Sequence, residues 1–404
     1  MVTGSTPSPF DFDVVVVGGG GHVGLPLAIA FADRGLKVGI YDLNDVAVKT
    51  ILAGELPFRE DGATEVLQRV LAAGRLDATT DPSVVSRGEH IVVVIGTPVD
   101  EHLNPDPHAV PRALDECKQY FRPGQLLVLR STVYPGVTQR VERMVAEQGL
   151  AVDVAFCPER IAEGKAMEEL FSLPQIVSAR TPEVRKRAGE LFGHLTDSIV
   201  ELVPEEAELA KLFTNTWRYI KFAAANQFYV MANEQGLDFD RIRNALAHDY
   251  PRAADMPGAG FAAGPCLFKD TMQLAAFTDN SFILGHSAML VNEGLPLYLV
   301  SKLEAKYDLA NARVGILGMA FKGESDDIRS SLSYKLKRIL EFRAKEVLCT
   351  DPYVTVDDNL QPLPTVLANS DLLIIGAPHK QYRELKPTVP VADVWNLLGN
   401  GTAV

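Results

Sequence analysis

The sequence predicts an α/β fold: two doubly wound domains joined by a central helical region that contains one long helix. Three observations predict it. Short β-branched apolar runs, each ending at glycine, aspartate or a small-residue turn, alternate with helix-period segments through the first half of the chain. From Pro204 one helix-period pattern runs unbroken to a stop at Gly236. From residue 306 onward the order of the first domain returns in weaker form: strand to glycine, strand to aspartate, strand to a small residue and proline.

Residues 1–12, MVTGSTPSPFDF, read as a loose tail, rich in Ser, Pro and Thr and without the basic and apolar regions of a signal peptide. Asp13 to Val17 is an apolar β-branched run, the mark of a buried parallel strand, and it ends in the glycines Gly18 to Gly21. The helix pattern LPLAIAFADR follows and stops at Gly35, as a helix C-terminal glycine requires. Further strands are KVGIYD to Asp42, HIVVVIG to Gly96-Thr97-Pro98, and QLLVLRS to Ser131-Thr132. These elements define a first domain over residues 13–203.

The central region is placed at residues 204–305. Its long helix carries acids in the first turn, which suits the positive end of the helix dipole. Such length predicts a helix that spans domains or builds an oligomer interface. The loop PRAADMPGAGFAAGP then leads to a new helix expected at Lys269. Residues 306–404 form the C-terminal unit, with RVGILGMAF, VLCTDP and DLLIIGAP as its strand ends.

Composition narrows the function. A chain of 404 residues exceeds one ordinary core. With 47% hydrophobic and 23% charged residues it is a packed globular protein. A net charge of -13 argues against a nucleic-acid partner, while leaving room for an anionic small molecule held by a few local cations. The cysteines Cys117, Cys157, Cys266 and Cys349 form no C-x-x-C pair, so neither a disulfide framework nor a metal site is expected. Their pattern fits a reducing compartment, and a cytoplasmic location is expected. No apolar run reaches the roughly 18 residues of a membrane span.

Gly19, Gly21 and Gly24 make a G-x-G-x-x-G string between a strand and a helix, the context of a Rossmann-like dinucleotide site. Gly19 permits the sharp turn, Gly21 lets a pyrophosphate approach the backbone, and Gly24 lets helix and sheet pack closely. The helix N-terminus then faces the anion. Asp42, about 20 residues on, stands where an acid holds the ribose diol. A carboxylate there repels a 2′-phosphate, so NAD is favoured over NADP; the plainer alternative is a solvated strand-end acid. His22 reads as a helix-start residue without a chemical role of its own, counted with Val23 in the cofactor-binding turn.

Cys266 stands in GPCLFKD, after a glycine-rich loop and before a helix. A thiol near a helix N-terminus has its thiolate stabilised. Asp270, four residues on, shares its face if the helix extends through both. Burial and inertness, the common fate of cysteine, suit the other three better. A dinucleotide enzyme with a nucleophilic cysteine points to aldehyde oxidation: the thiolate adds to the aldehyde carbon, hydride leaves to NAD, and water releases an acid from the resulting thioester. Lys211 and Asn215 lie one turn apart on the long helix, where an ammonium and an amide aimed together can stabilise an oxyanion. Their alternative is an exposed polar stripe. Glu159 and Glu163 form an i, i+4 pair if their segment is helical, or a solvated acidic face.

Taken in order, GGGGHVGLPLA, VIGTPVD, RSTVYPG, CPERIAEGKA, ELAKLFTNT, GFAAGPCLFKD, GMAFKGESDDIRSS and DPYV resemble the UDP-glucose/GDP-mannose dehydrogenase family over nearly the whole chain after the tail. The resemblance implies an NAD-dependent oxidation of the C6 alcohol of a UDP-sugar to a carboxylate. It implies Cys266 as the nucleophile of the second oxidation, with Lys211 and Asn215 at the oxyanion. Asp270 would activate water with Lys211, and Glu163 would serve as acid/base. Thr97, Ser131 and Thr132 would line the NAD site, and Arg329 would reach the cofactor from the C-terminal domain. Phe321 and Lys322 would meet the uridine diphosphate, and the loop around Phe261 would close over the sugar nucleotide. Glu159, Arg218, Arg252 and Gly264 complete the substrate set, with Lys322, Arg252 and Lys165 as the cations that hold a diphosphate on an acidic protein. The long helix would form a homodimer core.

Two departures stand out. Phe268 replaces the Pro of a C-L-P-K-D string beside the nucleophile, and SDDIRSS lacks a Glu-Ser-Pro ending. CPERIAEGKA and Arg218 resemble the branch acting on UDP-N-acetylhexosamines, so UDP-GlcNAc or UDP-ManNAc is the expected substrate, with UDP-glucose as runner-up. A non-catalytic nucleotide-sugar or NAD sensor on the same scaffold, and a simple two-electron dehydrogenase with a structural Cys266, are the competing readings.

Overall fold

The computed structural model describes residues 9–97, 99–100 and 105–404. The first eight residues of the expected tail, and Pro98 of the Gly-Thr-Pro turn, lie outside the described residues. The chain divides into two compact units, Met1–Phe213 and Thr214–Val404. The long helix, Pro204–Glu234, contains the division.

The first unit is built on an eight-stranded sheet. Its strands are β1 (Phe12–Val17), β2 (Val38–Tyr41), β3 (Leu76–Thr79), β4 (Gly88–Val93), β5 (Leu126–Leu129), β6 (Asp153–Phe156), β7 (Gln175–Ser178) and β8 (Ile199–Leu202). They lie in the order β3-β2-β1-β4-β5-β6-β7-β8. Neighbours pair in parallel except β6 and β7, which meet antiparallel at Phe156 and Ser178. The first six follow the doubly wound dinucleotide-binding order. β1 explains its central place: Val14 and Val16 enter one core, while Val15 and Val17 enter the core on the opposite face. Only a strand covered on both sides uses such an unbroken apolar run. The helix Gly24–Asp33 ends as its sequence predicts, with Gly35 left-handed at φ +97°.

The second unit carries a four-stranded parallel sheet, β9 (Arg313–Leu317), β10 (Glu346–Thr350), β11 (Leu372–Ile375) and β12 (Val391–Ala392), in the order β10-β9-β11-β12. Val314 and Ile316 pack with Leu332, Leu336 and Leu340 of the helix Leu332–Glu341, while Leu317, Leu373 and Ile375 build the opposite core with Val366. β9 runs into the left-handed Gly318, β10 into Asp351 and β11 into Gly376. The predicted echo of the first domain is therefore real. A 24-residue helix, Ile283–Lys306, also belongs to this unit and carries Pro296 inside it. Among the described residues no helix is long and apolar enough to cross a membrane.

Candidate active site

In the first unit the glycine turn is shaped by crowding. A side chain at Gly19 would meet Ile40 at 2.8 Å, and one at Gly24 would meet the backbone of Gly18 and Gly19 at 2.7 Å. At Gly21 a Cβ would meet nothing within 4 Å. Two glycines are thus required by the protein's own packing, and the third faces open space, as the sequence expects of a position kept clear for a pyrophosphate. The sequence reading passed over Gly20, whose Cβ would lie 2.9 Å from Asp42 Oδ2.

Asp42 ends β2 and braces that turn. Gly20 N–H donates to its Oδ2 at 2.8 Å, and Asn44 N–H donates to Oδ1 at 2.9 Å. After β4 and β5 the loops are joined by hydroxyls: Ile95 N–H donates to Ser131 Oγ at 2.8 Å, and Thr97 Oγ1 donates to the Thr132 carbonyl at 2.6 Å. Thr97, Ser131 and Thr132 are thereby brought together.

Residues 157–165 are irregular, so Glu159 and Glu163 do not form the helical pair the spacing allowed. Pro158 and the left-handed Gly164 (φ +77°) break the pattern. Glu159 is buried against the guanidinium of the buried Arg130, and its other oxygen accepts the N–H groups of Arg160 and Ile161 at 2.6 and 2.9 Å. Its carboxylate holds this loop in shape. Glu163 lies elsewhere, with Oε1 3.5 Å from His22 Nδ1. The His22 ring in turn lies on Phe58, centroids 4.0 Å apart. His22 therefore has a polar neighbour that its place in the turn did not reveal.

Lys211 and Asn215 are both buried, one turn apart on the long helix, and do not form an exposed stripe. In the second unit Asn215 Nδ2 donates to Asp270 Oδ2 at 2.5 Å, with Asp270 fully buried and Lys269 Nζ 2.8 Å from its other oxygen. Asp270 lies on the helix Leu267–Phe277, two residues earlier in its start than expected, and its N–H donates to the carbonyl of Cys266, the N-cap residue. Cys266 is exposed, whereas the other three thiols are buried. Burial pushes Cys117 up to about 11 and Cys157 and Cys349 up to about 12, which makes them inert.

The loop before Cys266 is fixed at several points. Gly264, left-handed at φ +104°, packs so closely that a Cβ would fall 2.5 Å from the ring of Phe321. Phe261 is buried and meets Trp395 edge-on at 6.2 Å. Asn226 of the long helix, which the sequence reading missed, accepts from Gly260 N–H at 2.9 Å and donates to its carbonyl at 3.0 Å. No local sequence signal marks that amide, because its partners lie 34 residues away. Lys322 extends over the Phe321 ring. Arg329 donates to Asp327 through Nε and Nη2. Arg218 and Arg252 stand at the surface, the latter against Tyr250.

Three models of one family match the chain in succession. The NAD binding domain of the UDP-glucose/GDP-mannose dehydrogenase family matches residues 13–196, its central domain 205–293 and its UDP binding domain 315–400. A UDP-N-acetyl-D-mannosamine dehydrogenase of Yersinia pestis is 29% identical over 93% of this chain and 96% of its own. The solved UDP-D-ManNAc dehydrogenase of Pyrococcus horikoshii superposes with a TM-score of 0.86 at 28% identity, covering 92% of this chain and 91% of that one. A UDP-glucose dehydrogenase of Pyrobaculum islandicum superposes with a TM-score of 0.88 at 29% identity, covering 96% of each. With the glycine turn, the exposed Cys266 and the buried Asn215–Asp270 pair in their places, and all three domain models matched in order, the chain belongs to the UDP-glucose/GDP-mannose dehydrogenase family.

Proposed function

We propose that this protein is an NAD-dependent UDP-N-acetylhexosamine 6-dehydrogenase, with UDP-N-acetyl-D-mannosamine as its leading substrate, working in the cytoplasm as a homodimer. The net reaction converts the C6 alcohol, two NAD and one water to the carboxylate, two NADH and three protons. The observation that carries the reading is Cys266: the exposed thiol of the chain, at the N-cap of a helix whose first turn holds Asp270 bonded to Asn215.

The glycine turn Gly19–Gly24 would hold NAD, which would supply the hydride acceptor for each half-reaction. The chain's own groups do the rest. Glu163 takes the proton of the C6 hydroxyl in the first oxidation. The Cys266 thiolate then adds to the aldehyde carbon, and Lys211 with Asn215 holds the oxygen that becomes negative. Loss of hydride leaves a thioester. Water attacks that carbonyl with Asp270 and Glu163 handling its protons, the carbon–sulfur bond breaks, and Cys266 returns as thiolate. Gly264, Phe261, Phe321 and Lys322 hold the nucleotide sugar, with Arg252 and Arg218 as further contacts.

The homodimer reading rests on the long helix. Trp217, Phe228 and Met231 are exposed there at 58, 48 and 57%. With the exposed Ala224 they follow a three-four spacing, the seam of helices packed along each other. The curated relatives favour the N-acetylmannosamine sugar; the equally close UDP-glucose dehydrogenase structure keeps UDP-glucose as the second reading.

Counting NADH per sugar with a panel of UDP-sugars tests this. Two NADH per UDP-N-acetylmannosamine, with slower turnover of UDP-glucose, is the expected result. One NADH per sugar supports a simple alcohol dehydrogenase, and none supports a binding protein without chemistry.

A further inference from the structure

The segment that carries Glu163 has no regular secondary structure to hold it. Residues 157–165 leave the end of β6 as an open loop, and a flexible loop is a poor support for an acid/base group. Yet the backbone on both sides of Glu163 is held by carboxylates from elsewhere. Gly164 N–H donates to Glu60 Oε2 at 2.8 Å, and Ala166 N–H donates to Glu60 Oε1 at 2.7 Å. Ala162 N–H donates to Glu169 Oε2 at 2.5 Å. Glu60 is 4% exposed and stands more than a hundred residues before its partners. A buried carboxylate spending both oxygens on two main-chain donors of one turn is a strong, directional hold.

Glu60 also belongs to a segment that reaches the glycine turn. Phe58, two residues earlier, supports the His22 ring, and His22 Nδ1 lies 3.5 Å from Glu163 Oε1. Residues 58–60 thus support both sides of the His22–Glu163 contact.

From this geometry we propose that Glu60 and Glu169 are positioning residues that fix Glu163 for catalysis, an inference that rests on the acid/base reading of Glu163. Neither glutamate reaches the reacting atoms; each acts through the main chain next to Glu163. Displacing a catalytic group by about 1 Å costs as much as a hundredfold in rate.

The test uses full-length enzyme with NAD and UDP-N-acetylmannosamine, or UDP-glucose should that sugar turn over faster. Glu60→Gln presents an amide where one main-chain N–H needs an acceptor. It is expected to lower kcat by roughly tenfold or more while the KM for NAD stays within about twofold. Hydrogen exchange should show residues 162–166 losing protection. Introduced into Glu163→Gln, the same change should lower kcat no further, because its effect passes through Glu163. An equal loss in both backgrounds, or wild-type kcat in Glu60→Gln beside a slow Glu163→Gln, overturns the inference. Wild-type turnover in Glu163→Gln instead removes the acid/base role itself, and the inference with it. If Glu60→Gln does not fold, Glu169→Ala, which frees Ala162 N–H, carries the same expectation: non-additivity with Glu163→Gln supports the proposal and additivity overturns it.

Discussion

Asp351 and His379 meet at 3.0 Å with neither side chain exposed. Asp351 follows β10 just as Asp42 follows β2, so the two acids hold corresponding places in the two units. Their surroundings differ. Asp42 braces its turn through Gly20 and Asn44 and keeps partial exposure. Asp351 accepts from the N–H groups of Met319, Ala320, Tyr353 and Val354 as well as from His379. The second unit therefore closes with its own donors the position that a ribose-binding acid would need open, which fits a domain that binds something other than a second dinucleotide.

Burial alone would raise the Asp351 carboxyl, but the His379 hydrogen bond and charge, together with the Tyr353 and Ala320 N–H groups, outweigh it and hold the carboxyl below its ordinary value. A carboxyl held lower in the folded state contributes stability above its unfolded value of about 3.9, and loses that contribution as pH falls through the folded value. Asp351→Asn should cost about 1–3 kcal/mol at pH 7. Urea midpoints of wild type and variant should converge below about pH 4; a gap independent of pH would show that the carboxyl contributes nothing by its charge.

Cys266→Ser should abolish acid formation, lowering it by more than about 10³-fold, with NAD affinity unchanged. Uronate release and NAD titration measure the two halves. Uronate at the wild-type rate would exclude covalent catalysis by this thiol.

The glycines of the first turn should separate folding from binding. Gly24→Ala forces a Cβ against backbone at 2.7 Å, so both stability and NAD affinity should fall. Gly21→Ala meets nothing in the protein, so the melting temperature should hold while NAD binding weakens. Loss of stability in Gly21→Ala would mean that the open space there serves the fold and not the cofactor.

Asn215→Ala leaves the fully buried Asp270 without its amide donor. A stability loss of about 1–3 kcal/mol is expected. The double variant with Asp270→Asn should be non-additive by about 0.5–3 kcal/mol, the signature of groups in direct contact. Simple additivity in denaturant titrations would show that the contact is energetically idle.

Trp217→Glu with Phe228→Glu places charge on the apolar seam of the long helix. Sedimentation is expected to show the proposed dimer for wild type and a monomer for the variant, since like charges facing across a twofold seam repel. A wild-type dimer that survives the change would place the interface elsewhere.

Much of this was legible from sequence. β1, β2, β4, β9, β10 and β11 announce themselves as apolar runs ended by glycine, acid or proline, and β5 as one ended by Ser131-Thr132. LDAT of β3 and IVEL of β8 do not, because four residues with exposed positions are too short for periodicity to separate strand from loop, and QIVS of β7, though buried throughout, is two apolar residues between polar ends. The helix Ile283–Lys306 escaped notice because Pro296 interrupts its pattern. In the site, Cys266, Asp270, Lys211 and Asn215 carry local signals of spacing and element ends. Glu60 and Asn226 carry none: an acid before a helix and an amide inside one are ordinary residues until the fold supplies main-chain partners 34 to 106 residues away. Glu159 and Glu163 show the opposite failure, a helical spacing that Pro158 and Gly164 cancel.

The brace that Asp42 gives to Gly20 bears on attempts to re-engineer coenzyme preference. Removing the acid to admit the extra phosphate of NADP also removes the acceptor for a main-chain N–H in the very turn proposed to receive the coenzyme. A swap designed on charge alone will loosen its own docking platform, so a neutral acceptor such as Asn or Ser has to be kept at that position for any redesign to succeed.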